Sequence, residues 1–224
     1  MFGETGVADG DSGDDFEVDE AKYRETRESL HGIAELLIAG PQYREYGTIR
    51  LRVVLGGFGG ARLPVSVLGT GLVGPGGGRV PLDGTYAQVA KAAGIDPGAP
   101  EGLYADTTGQ RIDDEICLDE HAAALIGDWF ATGDAALRCL APDVTPVLWP
   151  EHFDLASSRA EVNFGVSPGD AAHPAPYAYV GPWTPRTGEF WNAPFGALRP
   201  REQLRTASGL LAFFEEGRER AAAG

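Results

Sequence analysis

The sequence contains few of the side chains that build metal or redox centres. Only two cysteines and four histidines occur in 224 residues. Cys117 and Cys139 are too far apart for a CxxC motif, and no two histidines have the spacing of an HExxH helix. We therefore expect reduced, inert thiols and no metal site, and the sequence identifies no cofactor.

Positive charge is also scarce. Lysine and arginine total 18 residues against 33 aspartates and glutamates, which gives a formal net charge of -15. Binding to nucleic acid or to an anionic membrane surface depends on clustered basic residues, so we expect neither partner. No stretch approaches the roughly 18 consecutive apolar residues of a membrane span.

The start of the chain is strongly acidic. Its first twenty residues hold eight aspartates and glutamates and no lysine or arginine. We interpret residues 1–18 as a disordered acidic tail, with an acidic docking arm as the alternative. A secretory signal needs a basic start and an apolar run, so we expect a cytoplasmic protein.

An N-terminal helix and a small sheet are predicted first. Asp19 can cap a helix that Gly40 and Pro41 are expected to end. The stretch "TIRLRVVL" (48–55) alternates apolar and polar residues, which is typical of a half-buried strand. The stretch "RLPVSVLG" (62–69) is its expected hairpin partner, across a glycine-rich turn.

Two further helices are predicted before the chain changes character after Pro146. Thr85 and Gln88 have the spacing of a capping box, which indicates a short helix. Asp119 can cap a longer central helix, and we expect a break near "ATGD", where glycine weakens it. With the strands, these helices make residues 19–146 an α+β unit.

Residues 147–224 are predicted to form an aromatic-rich antiparallel sheet closed by a C-terminal helix. Nine of the 21 aromatic residues fall between positions 149 and 195, interleaved with proline and glycine. The expected strands are "HFDLASS", "AEVNFGV", "PYAYVG" and "EFWNA", and Pro200 is expected to open the last helix. The fold class is therefore α+β with mixed or antiparallel sheets, and one continuous domain remains an alternative to two parts.

Three motif-like stretches lack the context that their chemistry needs. "GTGLVG" (69–74) is followed by proline and glycines, which cannot begin the helix of a dinucleotide site. In "GVSPG" (165–169), Pro168 removes the backbone N–H that a nucleophile elbow uses for its oxyanion. "CLDEH" (117–121) has no second ligand pair for zinc, so we interpret it as a helix cap.

The stretch "LWPEHFDLA" (148–156) places three ionisable side chains among apolar ones. If the segment is extended, His152 and Asp154 lie on the same strand face, with Cα atoms roughly 6.5–7 Å apart. Asp154 could then fix the tautomer of His152, which would act as acid, base or ligand. Glu151 would point to the other face.

Other polar and aromatic residues extend this candidate site. Asparagine amides could give directional hydrogen bonds, and tryptophan rings could give flat contact surface. The candidate ligand-binding residues are His152, Asp154, Glu151, Asn163, Trp183, Trp191 and Asn192.

Two other roles stay open for His152 and Asp154. Such groups more often only satisfy each other or the backbone of a nearby loop, as buried polar groups must. They could also belong to a metal site, although no clear fourth ligand accompanies them.

The blocks "LWPEHFDLA", "VNFGVSPGD", "PYAYVGPW" and "FWNAPFG" resemble those of a family of uncharacterised actinobacterial proteins. The resemblance covers roughly the C-terminal third of the chain. It implies no activity, because none is established for that family.

The sequence favours a cytoplasmic small-molecule-binding protein whose aromatic-lined pocket contains a His-Asp pair. Whether the pocket catalyses a reaction stays open. The alternative is a non-catalytic interaction or structural protein that uses an exposed aromatic surface. A homo-oligomer or a protein partner is compatible with either function.

Overall fold

The N-terminal strands and the aromatic-rich strands form one continuous sheet. The computed structural model describes residues 19–104 and 107–223, so the predicted acidic tail lies outside the described residues. The strands are β1 (Leu51–Val54), β2 (Gly57–Gly60), β3 (Ser66–Leu68), β4 (Gly71–Val73), β5 (Arg79–Pro81), β6 (Val147–Trp149), β7 (Asp154–Arg159), β8 (Val162–Ser167), β9 (Tyr177–Pro182) and β10 (Ala197–Pro200). Their antiparallel order is β10-β9-β8-β7-β6-β1-β2-β3-β4-β5. A single pairing of Leu51 with Leu148 joins the two halves.

Helices flank this sheet, which confirms the α+β class with N-terminal, central and C-terminal helices. The helices are α1 (Glu20–Ile33), a π-helical segment (Ala34–Ala39), α2 (Gly40–Tyr46), α3 (Tyr86–Ala93), α4 (Glu120–Leu140), a 3-10 turn (Arg201–Gln203) and α5 (Ala207–Ala222). Among the described residues, no helix combines the length and apolar character needed to cross a membrane.

Local capping chemistry fixes three of the helix starts. The Asp19 carboxylate accepts from the backbone N–H of Ala21 and Lys22. Thr85 and Gln88 form the predicted capping box at α3, and Asp119 caps α4. These predictions are confirmed because a cap depends only on residues within one helical turn.

The N-terminal helix does not end at Gly40 and Pro41, so that prediction is wrong. The N–H of Gly40 bonds to the carbonyl of Glu35, which widens one turn of the helix into the π-helical segment. Pro41 has no N–H to continue the helical ladder, and the carbonyl of Leu36 instead accepts from the N–H of Gly98 at 2.9 Å. The helix ends instead at Gly47, whose φ is 68°.

The glycine-rich stretch after β1 is a strand and not the predicted turn. The chain reverses at Leu55 and Gly56, and β2 pairs with both β1 and β3. A Cβ atom on Gly57 would lie 2.1 Å from the carbonyl oxygen of Val67. Glycine therefore permits the close approach of β2 to β3.

α4 runs without the predicted break and forms the centre of the core. It packs across β1, β2, β7 and β8 and along α5. Its Trp129 and Phe130 side chains are fully buried. Gly133 brings the helix against Val166 of β8, so tertiary packing outweighs the low helix propensity of glycine.

Three C-terminal boundaries differ from the predictions. β7 begins at Asp154 and not at His152, because residues 150–153 form the turn after β6. The stretch "EFWNA" is not a strand, and β10 pairs with β9 in its place. α5 begins after Thr206, whose hydroxyl accepts from the N–H of Gly209, whereas Pro200 ends β10.

α1 lies along the end of the sheet where the loops after β6 and β8 emerge. The Tyr23 hydroxyl donates to the carbonyl of Pro168 at 2.7 Å. One ring nitrogen of His31 lies 2.6 Å from the carbonyl oxygen of Pro150. These two bonds hold the helix over the ends of β7, β8 and β9.

Candidate functional site

A cavity of about 870 Å³ lies on the face of β7, β8 and β9 that points away from α4 and α5. Leu155, Val166 and Val180 approach the two helices, so the alternate residues of each strand face the cavity. The strand residues that line it are Asp154, Asn163, Ser167, Tyr177, Tyr179, Gly181 and, at the end of β9, Pro182.

Four other parts of the chain complete the cavity wall. α1 contributes Arg27, Glu28 and His31, and the turn after β6 contributes residues 151–153. Thr107 and Thr108 come from the loop before α4, and residues 169–171 come from the loop after β8. The rings of Trp183 and Phe195 stand at the rim, where they are 63% and 42% exposed. The cavity therefore joins the two halves of the sequence.

His152 and Asp154 both line the cavity, although the strand argument that predicted this is wrong. His152 lies in a turn, and Phe153 adopts the left-handed φ of 49°. The Phe153 ring is buried against His31, Phe58 and Phe130. Because this ring anchors the turn in the core, the residues on both sides of it stay at the cavity.

Asp154 is a buried carboxylate with only one of its oxygens bonded. Its Oδ2 accepts from the Tyr179 hydroxyl, whereas Oδ1 is buried without a hydrogen-bond partner among the described residues. Burial raises the pKa of Asp154 to about 6, against the opposing effects of the Tyr179 hydrogen bond and of nearby His152. A carboxyl group in this range can change its charge near neutral pH.

The Tyr179 ring lies against the sheet over Gly165, which has no side chain to displace it. A Cβ atom on Gly165 would lie 2.5 Å from the Tyr179 hydroxyl oxygen, so only glycine leaves room for the ring. Burial and the proximity of Asp154 raise the pKa of Tyr179 well above its ordinary value. Tyr179 therefore stays protonated and donates to Asp154.

Tyr177 serves a second carboxylate in the same way. Its hydroxyl donates to Asp170 at 2.6 Å, and the N–H groups of Ala172 and His173 donate to the other oxygen at 2.7 Å. Burial acts to raise the pKa of Asp170, but these hydrogen bonds lower it below its ordinary value. Asp170 is therefore a satisfied anion that orders the loop after β8.

His31 enters the site from α1 with a defined tautomer. Its ring stacks on Phe153 with centroids 5.2 Å apart. A carbonyl oxygen can only accept, so the His31 nitrogen facing Pro150, Nε2, carries a proton. Burial lowers the pKa of His31, which favours the neutral ring with Nδ1 as an acceptor.

Glu151 is a second carboxylate with an unmet oxygen. It lines the cavity beside His152, and its Oε2 is buried without a hydrogen-bond partner in the described part of the chain. Glu151 and Asp154, which lie on either side of His152 and Phe153, therefore each have one oxygen without a hydrogen-bond donor among the described residues.

The loop that carries Thr107 and Thr108 is tied to the π-helical segment. Buried Glu35 accepts from the Thr108 hydroxyl at 2.6 Å and from the Thr108 N–H at 3.1 Å. The Tyr104 hydroxyl donates to the other oxygen of Glu35. The widened helix thus places a carboxylate where it can hold one wall of the cavity.

The remaining predicted residues divide between the cavity and other places. Asn163 and Trp183 line the cavity, and the Trp183 indole N–H donates to the Asn163 amide oxygen at 3.1 Å. Asn192 instead bonds to the backbone of Leu198, where it closes the turn before β10. Trp191 packs edge to face against Phe190, so the structure does not bring these last two to the site.

Sequence reasoning missed several cavity residues, although three of them left a signal. Arg27 follows the inward spacing of α1, where a charged residue is unusual. Tyr177 and Tyr179 share one strand face, as period-two alternation requires. His31 left no comparable signal, because its contact with Pro150 spans 119 residues.

Within residues 19–104 and 107–223, no group of three or more histidine, cysteine or acidic side chains could hold a metal ion. The metal alternative for His152 and Asp154 therefore has no ligand set among these residues. The resemblance to actinobacterial proteins stays a prediction. No family model, no curated protein and no solved structure matches this chain.

Proposed function

We propose that this protein binds a small organic molecule in the cavity between α1 and the aromatic-rich strands. The observation that carries the proposal is the cavity itself, whose volume of about 870 Å³ is within the range of ligand sites, roughly 300–1,000 Å³. Its wall combines aromatic rings with charged, hydroxyl and amide side chains, which can fix the orientation of a ligand.

The state of the polar groups also supports binding. Buried polar groups that only stabilise the fold usually find their partners within it, as Asp170 does. Asp154 and Glu151, which both line the cavity, each bury one oxygen without a hydrogen-bond partner among the described residues. The two free cysteines support a reducing compartment such as the cytoplasm.

The test is a fragment screen by ligand-detected NMR on the intact chain and on a cavity-filling variant. Asn163→Phe puts a ring into the cavity from β8, and strands tolerate aromatic residues. Arg52→Phe is the matched control, since it puts the same ring on an exposed position of β1. We expect fragments to bind the wild type and the control but not Asn163→Phe.

Equal binding to all three proteins would refute the cavity as the binding site. Absence of binding to the wild type across a chemically diverse screen would refute the function.

The exposed rim supports a second candidate, which is recognition of another protein. Trp183 and Phe195 present large rings to solvent beside the cavity. Exposed aromatic residues of this kind are enriched at protein interfaces. Trp183→Ala with Phe195→Ala would then weaken a protein complex, seen as a smaller species in size-exclusion chromatography.

A further inference from the structure

We propose that the ligand is an organic cation with N–H donors, such as a primary amine, bound by the carboxylates of Asp154 and Glu151. The inference rests on the proposed function, because it assigns a chemical class to the ligand of the same cavity. Three observations support it: two carboxylate oxygens without hydrogen-bond donors among the described residues, the negative charge of the cavity wall and the aromatic rings at its rim.

The unmet oxygens require hydrogen-bond donors. Asp154 is only 8% exposed, and its Oδ1 has no donor among the described residues. Glu151 Oε2 is in the same condition in the same cavity. Burying a carboxylate oxygen without a hydrogen-bond donor costs free energy. A ligand that brings N–H groups to both oxygens removes this cost, which strengthens its binding.

The charge of the wall favours a cation over an anion or a neutral molecule. Glu28, Glu151, Asp154 and Asp170 line the cavity, and among the described lining residues Arg27 is the one arginine or lysine. The Arg27 guanidinium already donates to the carbonyls of Asp170 and Pro174. The wall is therefore negative, and such a cleft concentrates cations from solution.

The shape and the rim favour an organic cation over a metal ion. The described residues provide no group of three or more ligands for a metal, and the cavity is far larger than an ion needs. The rings of Tyr179 and Phe195 meet edge to face with centroids 6.1 Å apart, and Trp183 stands beside them. Aromatic faces attract ammonium groups and also cover apolar carbon.

N–H donors distinguish the proposed ligand from a quaternary ammonium ion. A quaternary ammonium carries charge but cannot donate a hydrogen bond, so it would leave both oxygens unmet. A primary amine has three donors, enough for Asp154 Oδ1 and Glu151 Oε2 together.

The experiment compares three probes that share the same phenylethyl part: 2-phenylethylamine, 2-phenylethanol and trimethyl(2-phenylethyl)ammonium. Each is titrated against the full chain at neutral pH, with binding followed by ligand-detected NMR. We expect the primary amine to bind about tenfold or more tightly than the other two. Asp154→Asn and Glu151→Gln should each remove most of that preference, because each removes one charged acceptor.

Asp113→Asn is the matched control, since Asp113 is exposed and lies outside the cavity. It should leave amine binding unchanged. If the alcohol binds as well as the amine, or if the two cavity variants keep the preference, the amine class is wrong while the cavity remains a binding site. If no probe binds but other fragments do, the amine class again fails alone. If neither probes nor fragments bind, both proposals fail.

Discussion

Asp154 links the chemistry of the cavity to the stability of the fold. Burial raises its pKa to about 6, so the folded protein holds this proton more tightly than the unfolded chain does. Such a group contributes stability that is full below its ordinary pKa of 3.8 and is lost as the pH rises through about 6. The charged carboxylate that a cation needs is therefore a destabilising group at neutral pH.

Replacing Asp154 with asparagine should stabilise the protein at neutral pH. We expect the free energy of unfolding to rise by roughly 1–3 kcal/mol near neutral pH, because the buried charge is removed while a carbonyl oxygen still accepts from Tyr179. The gain over wild type should shrink toward about pH 4, where wild-type Asp154 is protonated when folded. Urea denaturation across this pH range measures the difference, with Asp113→Asn as the control.

A gain that does not vary with pH would contradict this account. Glu151, His152 and Tyr179 are unchanged in the variant, so the Asp154 charge is the only titrating difference at the site. A gain independent of pH would therefore show that this charge is not the origin of the effect.

The Tyr179 hydroxyl tunes the same carboxylate. Its hydrogen bond stabilises the charged form, so Tyr179→Phe should raise the pKa of Asp154 further above its ordinary value. Tyr177→Phe is the matched control. Tyr177 lies on the same strand face as Tyr179, but its hydroxyl donates to Asp170. NMR titration of the side-chain carboxyl carbons distinguishes the two, and equal shifts of Asp154 in both variants would count against the pairing.

Two glycines of α4 have opposite roles in the helix. At Gly127 an added Cβ atom would meet its nearest neighbour at 3.7 Å, an ordinary contact. At Gly133 the same atom would lie 2.4 Å from a methyl group of Val166. The first glycine only weakens the helix, whereas the second sets the distance between α4 and β8.

Alanine substitutions should separate these roles. Gly127→Ala should raise the free energy of unfolding by about 0.5–1 kcal/mol, because alanine favours the helix. Gly133→Ala should lower it by roughly 1–3 kcal/mol, because the core must move to admit the methyl group. Urea denaturation of both variants measures the changes, and a stabilising Gly133→Ala would show that β8 does not constrain the helix.

The two halves of the sheet are joined at one narrow contact, between β1 and β6. α4 packs across that contact. β1 and β6 pair only at Leu51 and Leu148, while α4 packs on β1 and β2 on one side and on β7 and β8 on the other. The cavity is bridged in the same way, since α1 and the loop after β8 come from different halves. Side-chain packing, more than strand pairing, holds the halves together.

We therefore expect the protein to unfold in one cooperative transition. Differential scanning calorimetry should give a calorimetric enthalpy equal to the van't Hoff enthalpy, because α4 packs on strands of both halves and couples their unfolding. Two resolved transitions would instead indicate two independent domains.

Much of the candidate site could be predicted, but not the reason for its geometry. The unusual charge in "LWPEHFDLA" pointed to His152, Asp154 and Glu151, and all three line the cavity, so the prediction that Glu151 points to the opposite face is wrong. Asn163 and Trp183 followed from their place among aromatic strands. Trp191 and Asn192 have the same local pattern, yet they lie elsewhere because the chain turns at residues 188–196 before β10. Sequence pattern cannot distinguish a strand from such a turn when both are rich in aromatic residues.

The sequence by itself determined the α+β class, the starts of α1, α3 and α4 and the region of the site, since caps and periodicity act within one or two turns of chain. Only the tertiary structure decided that β2 is a strand, that His152 lies in a turn and that Tyr179 meets Asp154. Each of these depends on a partner distant in sequence, such as Val67 for β2 or Phe58 for the turn at Phe153. Side-chain periodicity carries no information about such a partner until the strands are placed.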